Sequence, residues 1–262
     1  MTPLPASEPT AASPTAAFDA ARYGEAIADD YDELMSDLDP GPAVDTIADL
    51  ADGGPVVEFG IGTGRIALPL RERGLAVAGI EGSPQMAARL RAKPGGEHVE
   101  VVVGDFTDTR VPGEFRLAVL TYNTIFALPS QDAQVRTFRN AARHLRPGGA
   151  FVVEAWIPDV GNFRNGLGVR PYSFSDRRVV LEAAEIHPST QHMRTTKVYA
   201  DSRGTRVYPA NHRYAWPAEL DLMARLAGLR LEQRWAAWDR SPFLDTSTTH
   251  VSVWRRTEDG PW

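Results

Sequence analysis

Glu58, Glu81 and Asp105 each stand at or just beyond the end of a short apolar run, the positions from which a carboxylate can reach a ligand. The first is the most informative. Val56-Val57-Glu58-Phe59 runs directly into Gly60, Gly62 and Gly64, three glycines at every second position. An apolar run feeding a glycine turn reads as the first strand of a doubly wound sheet, where a nucleotide-like ligand approaches bare backbone. The spacing narrows that ligand. A dinucleotide fingerprint needs G-x-G-x-x-G, and here Arg65 stands third after Gly62, so the last glycine comes one residue early. Pyrophosphate seeks the helix N-terminus behind such a loop. Glu58 already carries negative charge there, so a cationic ligand group suits the turn better. Glu81 follows the glycines by about 20 residues at the end of the next apolar run, where an acid can accept both ribose hydroxyls. This supports an adenosine moiety without separating one adenosine cofactor from another.

These residues need elements to position them. Ile27, Tyr31, Leu34 and Leu38 share one helical face ahead of the glycine turn. After it, the pattern predicts a short helix over 66–73, a strand over 76–80, and a helix capped by Ser83 with Pro84 in its first turn. Strands follow over 98–103 and 117–120, the latter opening through Thr121-Tyr122-Asn123-Thr124 at the mouth of the site. A helix over 133–145 ends at Arg146-Pro147-Gly148-Gly149, a turn into a strand that reaches Trp156. Three antiparallel strands over 179–186, 193–200 and 207–216 come next, then a helix over 217–227 closed by Gly228, and a hairpin of 229–237 with 251–254. The fold class is α/β, a doubly wound Rossmann-like seven-stranded sheet with an inserted antiparallel lid sheet. The expected divisions are a disordered tail over 1–20, rich in Ala, Pro, Thr and Ser, a helical cap over 21–50, the core over 51–160, the lid over 161–216, and the last helix and hairpin over 217–262.

An acidic residue, a spacer and G-x-G-x-G, then the Gly104-Asp105-Phe106 corner and Leu145-Arg146-Pro147-Gly148-Gly149 before the fifth strand, resemble the class I S-adenosylmethionine (SAM) dependent methyltransferases. The Val152-Val153-Glu154-Ala155-Trp156 ending, with antiparallel strands after it, is similar to their small-molecule N-methyltransferases, such as the amino-sugar N,N-dimethyltransferases. The similarity spans residues 23–256. It implies SAM as cofactor and S-adenosylhomocysteine as product. The implied cofactor residues are Tyr23, Glu58, Gly60, Gly62, Gly64, Arg65, Glu81, Gly82, Met86, Asp105, Phe106, Tyr122 and Asn123, with Asp105 accepting the adenine amino group. The plainer readings are that Asp105 is a turn residue, that Tyr31 is core, and that Tyr122-Asn123 is a polar loop.

Methyl transfer is an in-line displacement, so the protein must hold a nucleophile opposite the sulfur and exclude water. A neutral amine needs only to arrive unprotonated, whereas an alcohol needs a base, for which histidine is the usual choice near neutral pH. His212, Tyr31 and Glu154 are the catalytic candidates, with His250 behind them. His212 leads because alternation along its strand points His212, Tyr214 and Trp216 to one face. His98 and His144 stand at element ends and are expected to be solvated.

Composition bounds the rest. With 262 residues and 43% hydrophobic, the chain can bury one substantial core. It has no cysteine, so thiolate metal sites, disulfides and cysteine nucleophiles are excluded, and no metal is expected. A formal net charge of −6 without a basic block argues against nucleic acid as the main partner. No apolar run approaches a membrane span, so a cytoplasmic protein, monomer or homodimer, is expected. The acceptor is a small molecule or natural-product intermediate; Arg164, Arg170, Arg177 and Arg178 suit either an acidic, nucleotide-sugar or peptide-derived acceptor or a solvated loop. The competing readings are a SAM-binding enzyme of another reaction, a nicotinamide oxidoreductase and a noncatalytic module. Arg65 and the lack of a Tyr-x-x-x-Lys pair disfavour the oxidoreductase, and the intact glycines disfavour the noncatalytic module.

Overall fold

The computed structural model describes residues 20–163 and 165–257, without the side chains of Ala20, Arg22, Tyr23 and Asn162. The expected tail and Arg164, and the side chain of Tyr23, lie outside the described residues. The chain opens with helices α1 (Ala20–Ile27), α2 (Tyr31–Leu34) and α3 (Gly41–Ala51). The single helix expected through Leu38 is broken at 28–30, and Leu38 is exposed instead of sharing the apolar face.

The core alternates as expected from the apolar runs: β1 (Val56–Phe59), α4 (Ala67–Glu72), β2 (Val77–Glu81), α5 (Pro84–Arg91), β3 (Glu100–Val103), β4 (Phe115–Leu120), α6 (Gln131–His144) and β5 (Leu145–Trp156). After an inserted segment come α7 (Pro217–Leu226), β10 (Leu229–Trp235) and β11 (Thr249–Arg256). The seven-stranded sheet has the order β10-β11-β5-β4-β1-β2-β3. Strands β1 to β5 run parallel, and β11 is antiparallel to β5 and β10. The order reverses between β1 and β4, which puts the glycine turn at the topological switch point, where such sheets bind ligands. Both faces are covered. Helices α3, α4 and α5 pack Val44, Ile47, Leu70 and Leu90 against one face, and α6 and α7 pack Phe138, Leu220 and Met223 against the other.

The Arg146-Pro147-Gly148-Gly149 segment is not a turn ahead of the fifth strand but a bulge inside it. Leu145 already pairs with Phe115, and pairing resumes at Ala150 opposite Leu117.

The inserted sheet has four strands, in the order β6 (Leu167–Phe174), β7 (Arg178–His187), β8 (His192–Asp201) and β9 (Gly204–Arg213). The three expected strands are present. Strand β6 escapes a propensity reading because it holds Gly168 and Pro171; proline is tolerated there because the strand is an edge with a register shift next to it. Strand β9 ends at Arg213, so Trp216 is not part of a strand face: it is exposed and precedes α7, while Tyr214 is buried.

Arg213 fastens this sheet to the core. Its side chain is 6% exposed and donates to Glu219 at 2.7 Å, Gln191 at 3.1 Å and Gln134 at 2.5 Å, joining β9 to α7 and α6. A buried guanidinium stripped of its carboxylate costs far more than the intact pair contributes. Glu219→Ala is therefore expected to lower unfolding free energy by about 3 kcal/mol, and the double variant Arg213→Met, Glu219→Leu to recover most of it, as read by urea unfolding.

Candidate active site

The site grows from the turn after β1. Gly60, Gly62 and Gly64 all have left-handed backbone, with φ of 66°, 57° and 85°. Such conformations are open to glycine at no steric cost. The amides of Gly60 and Ile61 both donate to the Ile80 carbonyl, at 2.8 and 3.1 Å, folding the turn onto the end of β2. Glu81 completes the brace. One carboxylate oxygen accepts the Gly62 amide and the other the Ser83 amide, each at 2.8 Å. Ser83 caps α5 by accepting the Met86 amide at 3.3 Å, as its position before Pro84 predicts. A Cβ on Gly60 would meet Thr124 at 3.1 Å, whereas one on Gly64 would press on Leu68 and Leu90, so Gly64 serves helix packing behind the turn.

Above the turn lies a cavity of about 990 Å³. One half is lined by Gly60, Gly62, Glu81, Gly82, Met86, Asp105 and Phe106, the other by Trp156, Phe163, Tyr172, Lys197, Tyr199 and His212. Tyr31, Tyr122 and Asn123 also line the cavity. The cap seals one side, where Ile27, Leu34 and Met35 pack with Met86 of α5 and with Val180 and Tyr199 of the inserted sheet.

Of the expected cofactor residues, Gly60, Gly62, Glu81, Gly82, Met86, Asp105, Phe106, Tyr122 and Asn123 are brought together on this wall. Gly64, Arg65 and Glu58 stand behind it. Glu58 is 3% exposed and its Oε2 has no partner among the described residues. Burial pushes its carboxyl up to about 8, against the pull of Arg65 and with a push from Glu81. Asp105 does act as a turn residue, accepting the Thr107 amide at 2.8 Å through one oxygen, while lining the cavity.

Tyr122 and Asn123 form the least expected part. Both have positive φ, 55° and 62°, which side chains with a Cβ adopt at a cost of about 1 kcal/mol or more each. Glu154 holds them there: its carboxylate accepts the Tyr122 amide at 2.7 Å and its carbonyl the Asn123 amide at 3.1 Å. Asn123 Oδ1 in turn accepts the Trp156 amide at 2.6 Å. This corner presents the Tyr122 ring between Arg65, 5.5 Å from its centroid, and the Tyr172 hydroxyl, 3.5 Å from its own. Glu154 is thus occupied with backbone and does not line the cavity. Nothing in the local sequence announces the corner, because its cause lies 32 residues away.

The other candidates separate by burial. His212 lines the cavity, with Nε2 3.1 Å from Thr195 Oγ1 and Nδ1 without a partner among the described residues. Burial, and then Lys197, push it down to about 4. Burial pushes the Tyr31 phenol up to about 12, Arg65 opposing Glu81 and Glu58. His250 sits outside the cavity beside Phe243, pushed down to about 3 mainly by burial. His144 is not solvated: it is fully buried, Nδ1 donating to the Asn140 carbonyl and Nε2 accepting the Val111 amide. His98 is exposed as expected. Among the lid arginines, Arg170 is paired with Glu182 and Arg178 with Asp37.

A family model described as a methyltransferase domain matches residues 56–149. The CcbJ methyltransferase of Streptomyces caelestis is 38% identical, with a TM-score of 0.84, covering 92% of this chain and 100% of that one. The chain belongs to the SAM-dependent methyltransferases. The methyltransferase is also 29% identical to the cypemycin N-terminal methyltransferase of a Streptomyces species, over 89% of this chain and 97% of that protein. SAM-bound CalS10 of Micromonospora echinaspora, an amino pentose methyltransferase, shares the fold at 20% identity and a TM-score of 0.66, covering 88% and 97%. The residues fit the cofactor. Backbone at Gly62 leaves room beside the turn, Glu81 and Asp105 supply acceptors, Phe106 and Met86 give apolar walls, and the buried Glu58 carboxyl beside the turn has an unpartnered oxygen.

Glu58 also sets a pH dependence. A carboxyl raised in the folded state contributes stability below its unfolded value and loses it as pH rises. With Glu58 raised to about 8, stability is expected to fall as pH rises from about 4.5 to about 8. Glu58→Gln should flatten this part of the curve in urea unfolding at pH 5 and pH 8.5, and an unchanged slope would place the titration elsewhere.

Proposed function

We propose that the methyltransferase acts on a small acceptor at an amine nitrogen. The observation that carries this reading is that none of the three catalytic candidates stands in the acceptor half as a free base near neutral pH. His212 is pushed down to about 4, Tyr31 up to about 12, and Glu154 is committed to the Tyr122 amide. An alcohol would need such a base, whereas an amine that arrives neutral brings its own lone pair. The aromatic wall of Trp156, Phe163, Tyr172 and Tyr199 under a four-stranded roof suits a compact molecule. The cypemycin and amino pentose methyltransferases support the same class.

Bound cofactor supplies an electrophilic methyl on a sulfonium. The protein's part is alignment and exclusion of water. Gly60, Gly62, Glu81, Asp105, Phe106 and Met86 hold the adenosine portion, and Glu58 behind the turn gives up its proton as the cationic cofactor arrives. Tyr31 and Tyr122 stay protonated and stand between the two halves as neutral donors. Glu154 is a positioning residue that keeps Tyr122 in its strained backbone. His212, neutral with a free Nδ1, accepts a hydrogen bond from the acceptor N–H and turns the nitrogen lone pair toward the methyl. The new N–C bond forms as the C–S bond breaks, the electron pair goes to sulfur, and the ammonium product loses its proton to solvent.

The test supplies methyl-labelled SAM with matched pairs of small amines and alcohols. Label is expected only in the amines, and His212→Ala should lower kcat about tenfold, the loss of roughly one aligned hydrogen bond, with S-adenosylhomocysteine affinity unchanged. Label in the alcohols, lost in His212→Ala, would instead make His212 a base and the acceptor a hydroxyl.

A further inference from the structure

Only two of the chain's 28 basic residues are lysines, Lys93 and Lys197. Lys93 is accounted for by Asp32 at 2.7 Å and the Thr63 carbonyl at 2.8 Å, where it ties the glycine turn to the cap. Lys197 sits on β8 and lines the acceptor half of the cavity. The charges around it make it unusual. On the inserted sheet and its exit, Arg170, Arg178, Arg194, Arg203, Arg206 and Arg213 each hold a carboxylate. Lys197 holds none within 4 Å among the described residues.

The register explains why. Arg170, Glu182, Lys197 and Tyr208 lie in one row across the four strands. Glu182 is the direct neighbour of Lys197 but gives its Oε1 to Arg170 at 2.7 and 2.9 Å. Tyr208 donates to Asp30 at 2.8 Å. The Lys197 ammonium is left over the face of Tyr172, 3.6 Å from the ring centroid. A ring face partly compensates a cation drawn out of water but leaves its N–H donors available. An ammonium in a half-enclosed aromatic cavity, with every nearby carboxylate already engaged, is a place for an anion that arrives with a ligand.

We propose that Lys197 is the anchor of an anion subsite in the acceptor half, and that the acceptor carries a carboxylate besides its amine. One compact ammonium matches one carboxylate; a phosphate or diphosphate would call for the bidentate arginines, and these are spent on protein carboxylates. The inference rests on the amine reading above and refines it to amino-acid-like acceptors. Tyr172 acts as a positioning residue, its ring fixing where the ammonium stands.

The two-lysine composition makes this testable without turnover. Protein labelled with 13C at lysine Cε and saturated with S-adenosylhomocysteine should show two lysine signals, the one missing in Lys197→Arg being Lys197. Proline, alanine and β-alanine are then titrated, each against its amide. The acids are expected to shift the Lys197 signal saturably, the amides to leave it in place, and the Lys93 signal to stay fixed throughout. Lys197→Gln should raise KM for any acid that is methylated at least tenfold, with S-adenosylhomocysteine affinity within about twofold of the parent. A Lys197 signal that ignores all three acids, or that moves equally with acids and amides, overturns the subsite. Methylation of neutral amines by the same preparation would leave the amine reading standing in that event, and methylation of alcohols alone would remove both.

Discussion

The two hydrogen bonds of Glu81 organise everything around them. By accepting the Gly62 amide and the Ser83 amide together, this carboxylate locks the turn after β1 to the start of α5. The turn can take that path because Gly60 and Gly62 tolerate a left-handed backbone, and so it presents main chain with no side chain to the cavity. Burial works to raise the Glu81 carboxyl, while the amides of Ser83, Gly62 and Gly82 work to keep it ionised. The same acid therefore shapes the turn and lines the cavity above it.

Around this brace, the remaining parts close the cavity from above. The cap reaches the turn through Asp32, which accepts from Thr63 Oγ1 at 2.6 Å and pairs with Lys93. It reaches the inserted sheet through Asp30, Glu33 and Asp37, which engage Tyr208, Arg203 and Arg178. Carboxylates of one segment thus meet cations of two others, with an apolar cluster of Ile27, Leu34, Met35 and Val180 beneath. The ion pairs at the rim are exposed and contribute little each. Their geometry nevertheless gives the cap and the inserted sheet a shared boundary over the cavity, and methyl transfer requires that water be excluded.

How much of this was legible in the sequence follows from the range of the cause. The glycine turn, the Ser83 cap and the alternation of strands and helices are set by neighbours within a few residues, and they read directly. Strand β6 does not, because Gly168 and Pro171 lower its propensity and only pairing with β7 makes it a strand. The break at 28–30 is equally silent, since the cap is shaped by what it packs on. His144 has the look of a helix-end histidine but is drawn into the core by the Val111 amide 33 residues before it. Tyr122, Asn123 and Glu154 were visible as polar residues near a strand exit, yet their strained corner comes from pairing between β4 and β5. Lys197 leaves a trace in composition alone: a chain so committed to arginine keeps lysine at two places, and both stand near the cavity or the glycine turn.

The central claim is that the braced glycine turn holds the adenosine portion of SAM and not a dinucleotide. It is tested most directly by calorimetric titration with S-adenosylhomocysteine and, in parallel, NAD, on the parent chain and on Gly62→Val. A side chain at Gly62 has room but takes a strained left-handed backbone at φ 57°, so urea unfolding of the variant is read alongside, and in the folded fraction its new side chain blocks the ligand. Saturable S-adenosylhomocysteine binding in the parent, none in Gly62→Val, and no NAD heat in either is the predicted result. Heat with NAD, or S-adenosylhomocysteine binding that survives in Gly62→Val, would contradict it.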